Sequence, residues 1–140
     1  MRRKLILPML IIFVGSILPA CNNLNVRLNT DVAFDSIKKI RDAETKFKKQ
    51  TGAYGTLKEL SEVRLIDSSL ASGTYYGHKY EVRAKKNSYV AVTVPIEYGE
   101  NAYHGTGYVS LYVDETGVVR GGDRKGAEAN VNDEAIGKQQ

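Results

Sequence analysis

The chain's only cysteine, Cys21, lies where an N-terminal export signal would end. Three basic residues at positions 2 to 4 are followed by a short apolar run from Leu5 to Ile17. The run closes on Leu18-Pro19-Ala20, which places a small residue directly before the cysteine. This order of basic, apolar and small residues is typical of a secretory signal peptide. We therefore expect residues 1 to 20 to be a signal peptide and the folded protein to lie after it.

The segment Leu18-Pro19-Ala20-Cys21 resembles the lipobox of bacterial lipoproteins. The resemblance implies that the thiol of Cys21 receives a diacylglycerol, that the chain is cut before this residue, and that the new amino terminus is acylated, for example with palmitate. Two or more acyl chains hold a protein stably at a membrane, whereas one holds it only marginally. We expect a lipoprotein of the bacterial cell envelope that is anchored through Cys21. Asn22 replaces the Asp that commonly retains such proteins at an inner membrane, which favours the outer membrane.

Two alternatives to lipid anchoring are ordinary cleaved secretion and an uncleaved anchor helix. A spanning helix needs about 20 mostly apolar residues, and this run is about 13 to 15 residues long and contains Pro8. A single thiol in an exported protein also needs an explanation, and lipid attachment supplies one.

The charge of the chain gives no indication of a nucleic-acid partner. Three of the 20 Lys and Arg residues lie in the signal segment and none of the 16 Asp and Glu residues do, which leaves 17 basic against 16 acidic side chains. A balance this close to neutral provides no basic surface for a polyanion.

The residues after Cys21 predict a tether followed by an amphipathic helix. Residues 21 to 30 are polar and rich in asparagine, so we expect a tether between the lipid and the fold, with Asn29 or Thr30 capping a helix from Asp31 to Lys49. The apolar positions of this helix recur every three or four residues. They are Phe34, Ile37, Ile40, Ala43 and Phe47, with Glu44 as a polar exception in the stripe. The basic cluster from Lys46 to Lys49 allows docking on anionic lipid headgroups, although a solvated helix end is the simpler interpretation.

A second helix and a sheet are predicted after Gly52. Thr56-Leu57-Lys58-Glu59 has the pattern of a capping box at a helix start. From Tyr75 the apolar residues alternate, which predicts about four antiparallel strands. These are a strand around Tyr80, Val82 and Ala84, then Tyr89 to Val94, Tyr108 to Val113, and Val118 to Arg120. We expect an α+β domain over residues 31 to 121, in which the helix stripe faces Tyr80, Val82, Val90, Val92, Val109 and Leu111.

The last residues, 122 to 140, contain little apolar surface, so we expect a disordered tail. A short partner-binding segment around Val131 to Ile136 is the alternative for this region.

Several pieces of the chain between Ala33 and Arg120 occur in an order that resembles the globular head of type IV pilins and pseudopilins. They are Thr51-Gly52-Ala53-Tyr54-Gly55-Thr56-Leu57, Leu65-Ile66-Asp67, Tyr98-Gly99, Gly105-Thr106-Gly107 and Tyr112-Val113-Asp114-Glu115-Thr116-Gly117-Val118-Val119-Arg120. The resemblance implies a helix on an antiparallel sheet and a non-catalytic surface or periplasmic module. Pilins also carry a prepilin peptidase site and a long apolar assembly helix, and Cys21 stands in their place here. We therefore expect a monomer rather than a pilus subunit assembled by the usual mechanism.

The loop from Glu97 to Tyr108 is the candidate partner-binding site. Exposed tyrosines give a large contact area at a low entropic cost, so Tyr98, Tyr103 and Tyr108 are candidates for contact with an envelope protein or a glycan. The alternative is that these rings pack on the sheet.

Catalytic and metal-binding patterns are weak. His78 and His104 could join Glu81, Glu97 or Glu100 around a metal, but the spacing matches no ligand pattern, and surface histidines are the simpler interpretation. A triad of Ser110, His104 and Asp114 can be drawn, but triads are recognised by geometry. We expect no enzyme activity, metal or cofactor; a small envelope enzyme or a ligand-binding lipoprotein is the competing hypothesis.

Overall fold

The computed structural model describes residues 21–100 and 104–137, and side chains from Asn25 onward. The predicted signal peptide, Tyr103 and the last three residues therefore lie outside the description. The helices are α1 (Cys21–Thr51), α2 (Leu57–Glu62) and α3 (Ser68–Ala71). The strands are β1 (Thr74–Tyr75), β2 (His78–Ala84), β3 (Tyr89–Pro95), β4 (Ser110–Asp114) and β5 (Arg120–Gly122).

The five strands form one antiparallel sheet in sequence order, and α1 packs across one of its faces. The α+β class with a long N-terminal helix is confirmed, but the sheet has five strands rather than about four. The additional strand is β1, whose two residues pair with Lys79 and His78 in a tight hairpin. Two residues are too few to show an alternating pattern, so the sequence gives no signal for β1.

Helix α1 already includes Cys21, ten residues before the predicted start, so the prediction of a tether over residues 21 to 30 is wrong. Val26 and Thr30 are buried and continue the stripe of Ala33 and Ile37 at helical spacing. Asparagine is a weak helix former, but burial of this face outweighs that preference. The Thr30 hydroxyl donates to the carbonyl of Val26 at 2.9 Å, so Thr30 lies inside the helix and does not cap it.

The end of α1 and the start of α2 follow the sequence closely. Gly52 has a φ of +83° directly after the last helical residue, as expected of a helix-terminating glycine. The predicted capping box at α2 is confirmed, because the Thr56 hydroxyl accepts from the backbone of Glu59 and the Glu59 carboxylate accepts from the backbone of Thr56.

The main core lies between α1 and the sheet, and the stripe of α1 is confirmed as its helical side. Phe34 packs on the edge of this core, and the other stripe residues are buried. The buried members are Ala33, Ile37, Ile40, Ala43, Phe47, Leu60, Ile66, Leu70, Tyr80, Tyr89, Ala91, Val109, Leu111, Val113 and Val119.

The face of β3 that meets the helix is the opposite of the predicted one. Tyr89 and Ala91 belong to the main core, and Ala91 stands opposite both Val82 and Val113 in the ladder. Val92 instead packs with Tyr112 and Ala129 on the other face of the sheet. Alternation alone could not choose between the faces, because both sides of a central strand are covered and both therefore carry apolar residues.

Residues 123 to 137 fold back on the sheet, so the prediction of a disordered tail is wrong for them. Ala129 is buried against Val92 and Tyr112, and Ile136 packs on the main core. The amide of Ile136 donates to the carbonyl of Val119 at 2.8 Å. The segment covers the sheet as a single layer, so only a few of its side chains face the core and the rest are polar. Its low apolar content therefore did not reveal that it is ordered.

The boundaries of the last two strands are also shifted from the prediction. β4 runs from Ser110 to Asp114, and β5 starts only at Arg120 because Val118 and Val119 still belong to the connection. Gly117, with a φ of +74°, completes the predicted turn through a 2.9 Å bond from its amide to the carbonyl of Asp114.

Candidate functional site

Cys21 lies in α1, which places the predicted lipid attachment site directly on the domain. A helix of 31 residues is about 46 Å long at 1.5 Å per residue. Lys46 to Lys49 therefore lie about 40 Å along the helix from Cys21. Lys48 is also used inside the domain, since its ammonium donates to the carbonyl of Gly52 at 2.9 Å and to the side chain of Asn87 at 3.0 Å.

Thr106 fixes the glycine-rich loop to the beginning of α1 and to the β1–β2 turn. Its hydroxyl donates to the carbonyl of Gly77 at 2.6 Å and accepts from the amide of Glu97 at 3.0 Å. Its carbonyl accepts from the side-chain amide of Asn29 at 2.9 Å. Asn29 was predicted only as a helix cap, and the sequence carries no signal for this long-range contact.

Two of the three candidate tyrosines have partners within the domain. The hydroxyl of Tyr98 donates to the carboxylate of Asp123 at 3.0 Å, and its ring lies beside Gly126 of the C-terminal segment. Partial burial and the bond to Asp123 raise the pKa of Tyr98. Tyr108 packs against the main core, and Tyr103 lies outside the described residues. Tyr108 thus has the packing role that the alternative interpretation assigned to these rings, whereas Tyr98 contacts the C-terminal segment.

His78 is fully buried on the helix side of the sheet, so the expectation of a surface histidine is wrong for this residue. Its Nδ1 lies 3.3 Å from the carbonyl of Tyr76, and its Nε2 has no hydrogen-bond partner among the residues that the structure describes. Burial lowers the pKa of His78 and keeps the imidazole neutral. Gly107 leaves room for the ring, because a Cβ at this position would lie 2.7 Å from Nε2. His104, in contrast, is exposed.

The catalytic triad drawn from the sequence is not assembled. Ser110 and Asp114 lie at opposite ends of β4, about 13 Å apart in an extended strand. Asp114 instead accepts hydrogen bonds from the hydroxyl of Tyr112 at 2.8 Å and the amide of Thr116 at 3.0 Å. Burial acts to raise the pKa of Asp114, but these bonds outweigh it and lower the pKa, so the carboxylate is a structural acceptor.

Within the described ranges, no three metal-binding side chains lie close enough together to hold an ion. The structure also contains open grooves of about 320 to 480 Å³. One lies on the outer face of the sheet beside Lys79, Glu81 and Glu128, and two lie between α1 and Ile136. Neither His78 nor His104 lines any of these three grooves.

Glu44 is the one carboxyl group buried within the main core of the described domain. Its Oε2 accepts from the amide of Gly55 at 2.9 Å, and its Oε1 has no partner within the part of the chain that is described. Burial raises the pKa of Glu44 to about 7, with the bond from Gly55 opposing this and the charge of Glu59 adding to it. The sequence identified Glu44 as an exception in the apolar stripe but gave it no role.

None of the helices over the described residues is both long enough and apolar enough to cross a bilayer. The chain matches no protein-family model, and searches of curated proteins and of solved structures found no match either.

Proposed function

We propose that this protein is a lipid-anchored, non-catalytic interaction or structural module of the bacterial cell envelope, held to the membrane through diacylglycerol and palmitate on Cys21. The observation that carries the proposal is the position of the lipobox-like segment relative to the fold. Its cysteine already lies in a helix that packs on the rest of the domain one to three turns later, through Val26, Asn29 and Thr30. A lipid on Cys21 would therefore attach the whole domain to a membrane without an intervening linker.

The absence of catalysis is part of the proposal, and the geometry of the polar side chains supports it. An enzyme site needs converging polar groups in a concave pocket. Here the buried polar groups are distributed, with His78 beside Gly107, Glu44 under Gly55, and Asp114 engaged by Tyr112 and Thr116. These positions serve packing and hydrogen bonding of the domain, so we prefer an interaction role over the competing enzyme or ligand-binding lipoprotein.

The pilin-like character of the head also remains a proposal. A long N-terminal helix packed on an antiparallel sheet supports it at the level of architecture. We propose that the head is monomeric and that its lipid lies in the outer membrane. Its partner in this proposal is an envelope protein or a glycan.

Metabolic labelling with radioactive palmitate tests the anchoring. The wild-type chain should incorporate label and sediment with membranes, and Cys21→Ser should do neither, because the thiol is the only nucleophile of its kind in the chain. Asn23→Ser is the matched control, since it changes a neighbouring side chain and keeps the thiol. Equal labelling of wild type and Cys21→Ser would refute lipid attachment at this residue. Density separation of the membranes then distinguishes the outer from the inner membrane.

A further inference from the structure

Three large apolar side chains are exposed at the end of the domain where α1 begins. Leu28 is 53% exposed, Tyr76 49% and Ile96 42%. We infer that this end of the domain, which we call the anchor-end surface and define by these three residues, inserts shallowly into the membrane interface that receives the lipid on Cys21. The inference rests on the proposed lipid anchoring.

The three residues are held at one level of the domain by the hydrogen bonds around Thr106. The amide of Ile96 donates to the carbonyl of Gly77 at 2.9 Å, which joins Ile96 to the Tyr76-Gly77 turn. Thr106 bonds to Gly77 and, through its carbonyl, to Asn29, the residue next to Leu28. Tyr76, Ile96 and Leu28 therefore lie at the same level along α1.

The distance from Cys21 fits contact with the membrane interface. Leu28 follows Cys21 by seven residues, or about 10 Å along the helix. Each interfacial layer of a bilayer is about 5 to 8 Å thick, so a tilt of α1 by about 40 to 60° from the membrane normal brings this level of the domain into contact with the headgroups. Because α1 is continuous from Cys21, the lipid and the anchor-end surface cannot move far apart.

The backbone conformation of Tyr76 supports a role for its side chain other than stabilising the fold. Tyr76 and Gly77 form a two-residue hairpin loop in which both residues have positive φ, +43° and +71°. Such turns favour Asn-Gly, and a tyrosine in this conformation is uncommon. The strained position nevertheless carries an aromatic ring that is half exposed and leans edge-on against Tyr75 at 4.7 Å between ring centroids. Tyrosine is enriched at membrane interfaces, where its ring can be apolar on one side and wet on the other.

The charges near this surface are mixed, so the contact we propose is apolar and not electrostatic. Arg27 and Lys79 are exposed at this end, but so are Asp31 and Glu97. An anionic headgroup would gain little net attraction from such a set. Insertion of the three apolar side chains is accordingly expected to persist at high salt.

Single tryptophan reporters test the inference, because the chain contains no Trp. Leu28→Trp, Tyr76→Trp and Ile96→Trp are prepared in the full chain, and the acylated protein is isolated and placed in vesicles that contain brominated phosphatidylcholine. Val63→Trp is the matched control, since Val63 is 47% exposed but follows α2, which starts beside the opposite end of α1. We expect the three anchor-end reporters to shift to shorter wavelength and to lose most of their emission by bromine quenching, in low and in high salt, while Val63→Trp keeps its emission.

Failure of the proposed lipid anchoring and failure of the proposed membrane contact give different results. If mass spectrometry finds no lipid on Cys21, the proposed anchoring is refuted, and a maleimide phospholipid coupled to the Cys21 thiol supplies the anchor so that the surface is still tested. Anchor-end reporters that bromine does not quench in anchored protein would overturn the inference and leave the surface to a protein partner. Equal quenching of the Val63 reporter would overturn it as well, since the domain would then lie flat on the membrane.

Discussion

At the scale of single residues, Glu44 shows how a sequence pattern identifies a position without explaining it. The helical spacing placed Glu44 inside the apolar stripe, and the structure confirms that it is buried there. Its partner, the amide of Gly55, lies eleven residues later and after the end of the helix. No local pattern encodes that contact, since it depends on how the chain turns back at Gly52. The stripe was thus predictable, whereas the polar contact within it was not.

The raised pKa of Glu44 gives a prediction for stability against pH. Below pH 4.5 the carboxyl is protonated in both the folded and the unfolded chain, and its contribution to stability is fully present. Between pH 4.5 and about 7 the unfolded chain releases the proton while the folded protein keeps it, so the free energy of unfolding falls as pH rises. Glu44→Gln keeps the acceptor for Gly55 and removes this titration. We expect the variant to match wild type at pH 4 and to exceed it by about 2 to 3 kcal/mol at pH 8.

Urea denaturation of both proteins at several pH values measures this difference. Glu62→Gln is the control, because it makes the same substitution at an exposed position at the end of α2, outside the core. A Glu44→Gln variant that loses stability at pH 8 would mean that the buried carboxylate is ionised and stabilising.

At the scale of secondary structure, the sequence predicted the kinds of elements better than their ends. The stripe of α1 was visible from Phe34 onward, but its first three turns contain asparagines, and the sequence pattern did not reveal the packing of Val26, Asn29 and Thr30. In β3 the pattern predicted a strand correctly but the wrong buried face, because valines on one side and Tyr89 and Ala91 on the other are all covered. In both cases the missing information was the position of another part of the chain.

Two glycines in strand β5 allow a test of how closely β5 packs against β4. Gly121 and Gly122 have similar φ values, +143° and +148°, so alanine at either position costs about 1 to 3 kcal/mol in backbone strain. A Cβ on Gly121 would also collide with the carbonyl oxygen of Ser110 and lie 3.0 Å from Cα of Leu111, whereas a Cβ on Gly122 meets nothing within 4 Å. We expect Gly121→Ala to lower the melting temperature clearly more than Gly122→Ala.

Thermal unfolding followed by circular dichroism compares the two variants directly. Because Gly121 and Gly122 have similar φ values, Gly122→Ala is the control for the effect of backbone strain without the collision. Equal melting temperatures for the two would show that β5 does not pack tightly against β4.

At the scale of the whole molecule, the C-terminal segment closes the second face of the sheet. Composition suggested disorder because the segment has few apolar residues, yet one of them, Ala129, is buried against Val92 and Tyr112. Arg83 and Glu128 join the segment to β2 through an ion pair of 3.2 Å, and Arg124 and Asp133 pair within it at 3.1 Å. A covering layer of one chain thickness needs few inward residues, so composition underestimates its order.

Substitutions of two alanines in this segment distinguish an ordered segment packed on the sheet from a disordered tail. Ala129→Asp places an unpaired charge in a buried site, and we expect it to lower the free energy of unfolding by about 2 kcal/mol or more. Ala127→Asp changes an exposed residue two positions earlier and should alter it by less than about 0.5 kcal/mol. A disordered tail would tolerate both substitutions equally, and chemical denaturation decides between the two outcomes.

The order of the strands has a consequence for the time at which this protein can fold. Each strand pairs with its neighbour in sequence, so the sheet grows by successive hairpins, and such local pairing is fast. Helix α1 is synthesised before the strands, and the buried partners of its stripe lie on β3 and β4, which come after α2, α3, β1 and β2. A lone helix of this polar composition is marginal in water. We therefore expect the chain to stay extended until β3 and β4 have been made, and to become compact only after α1 can pack on them.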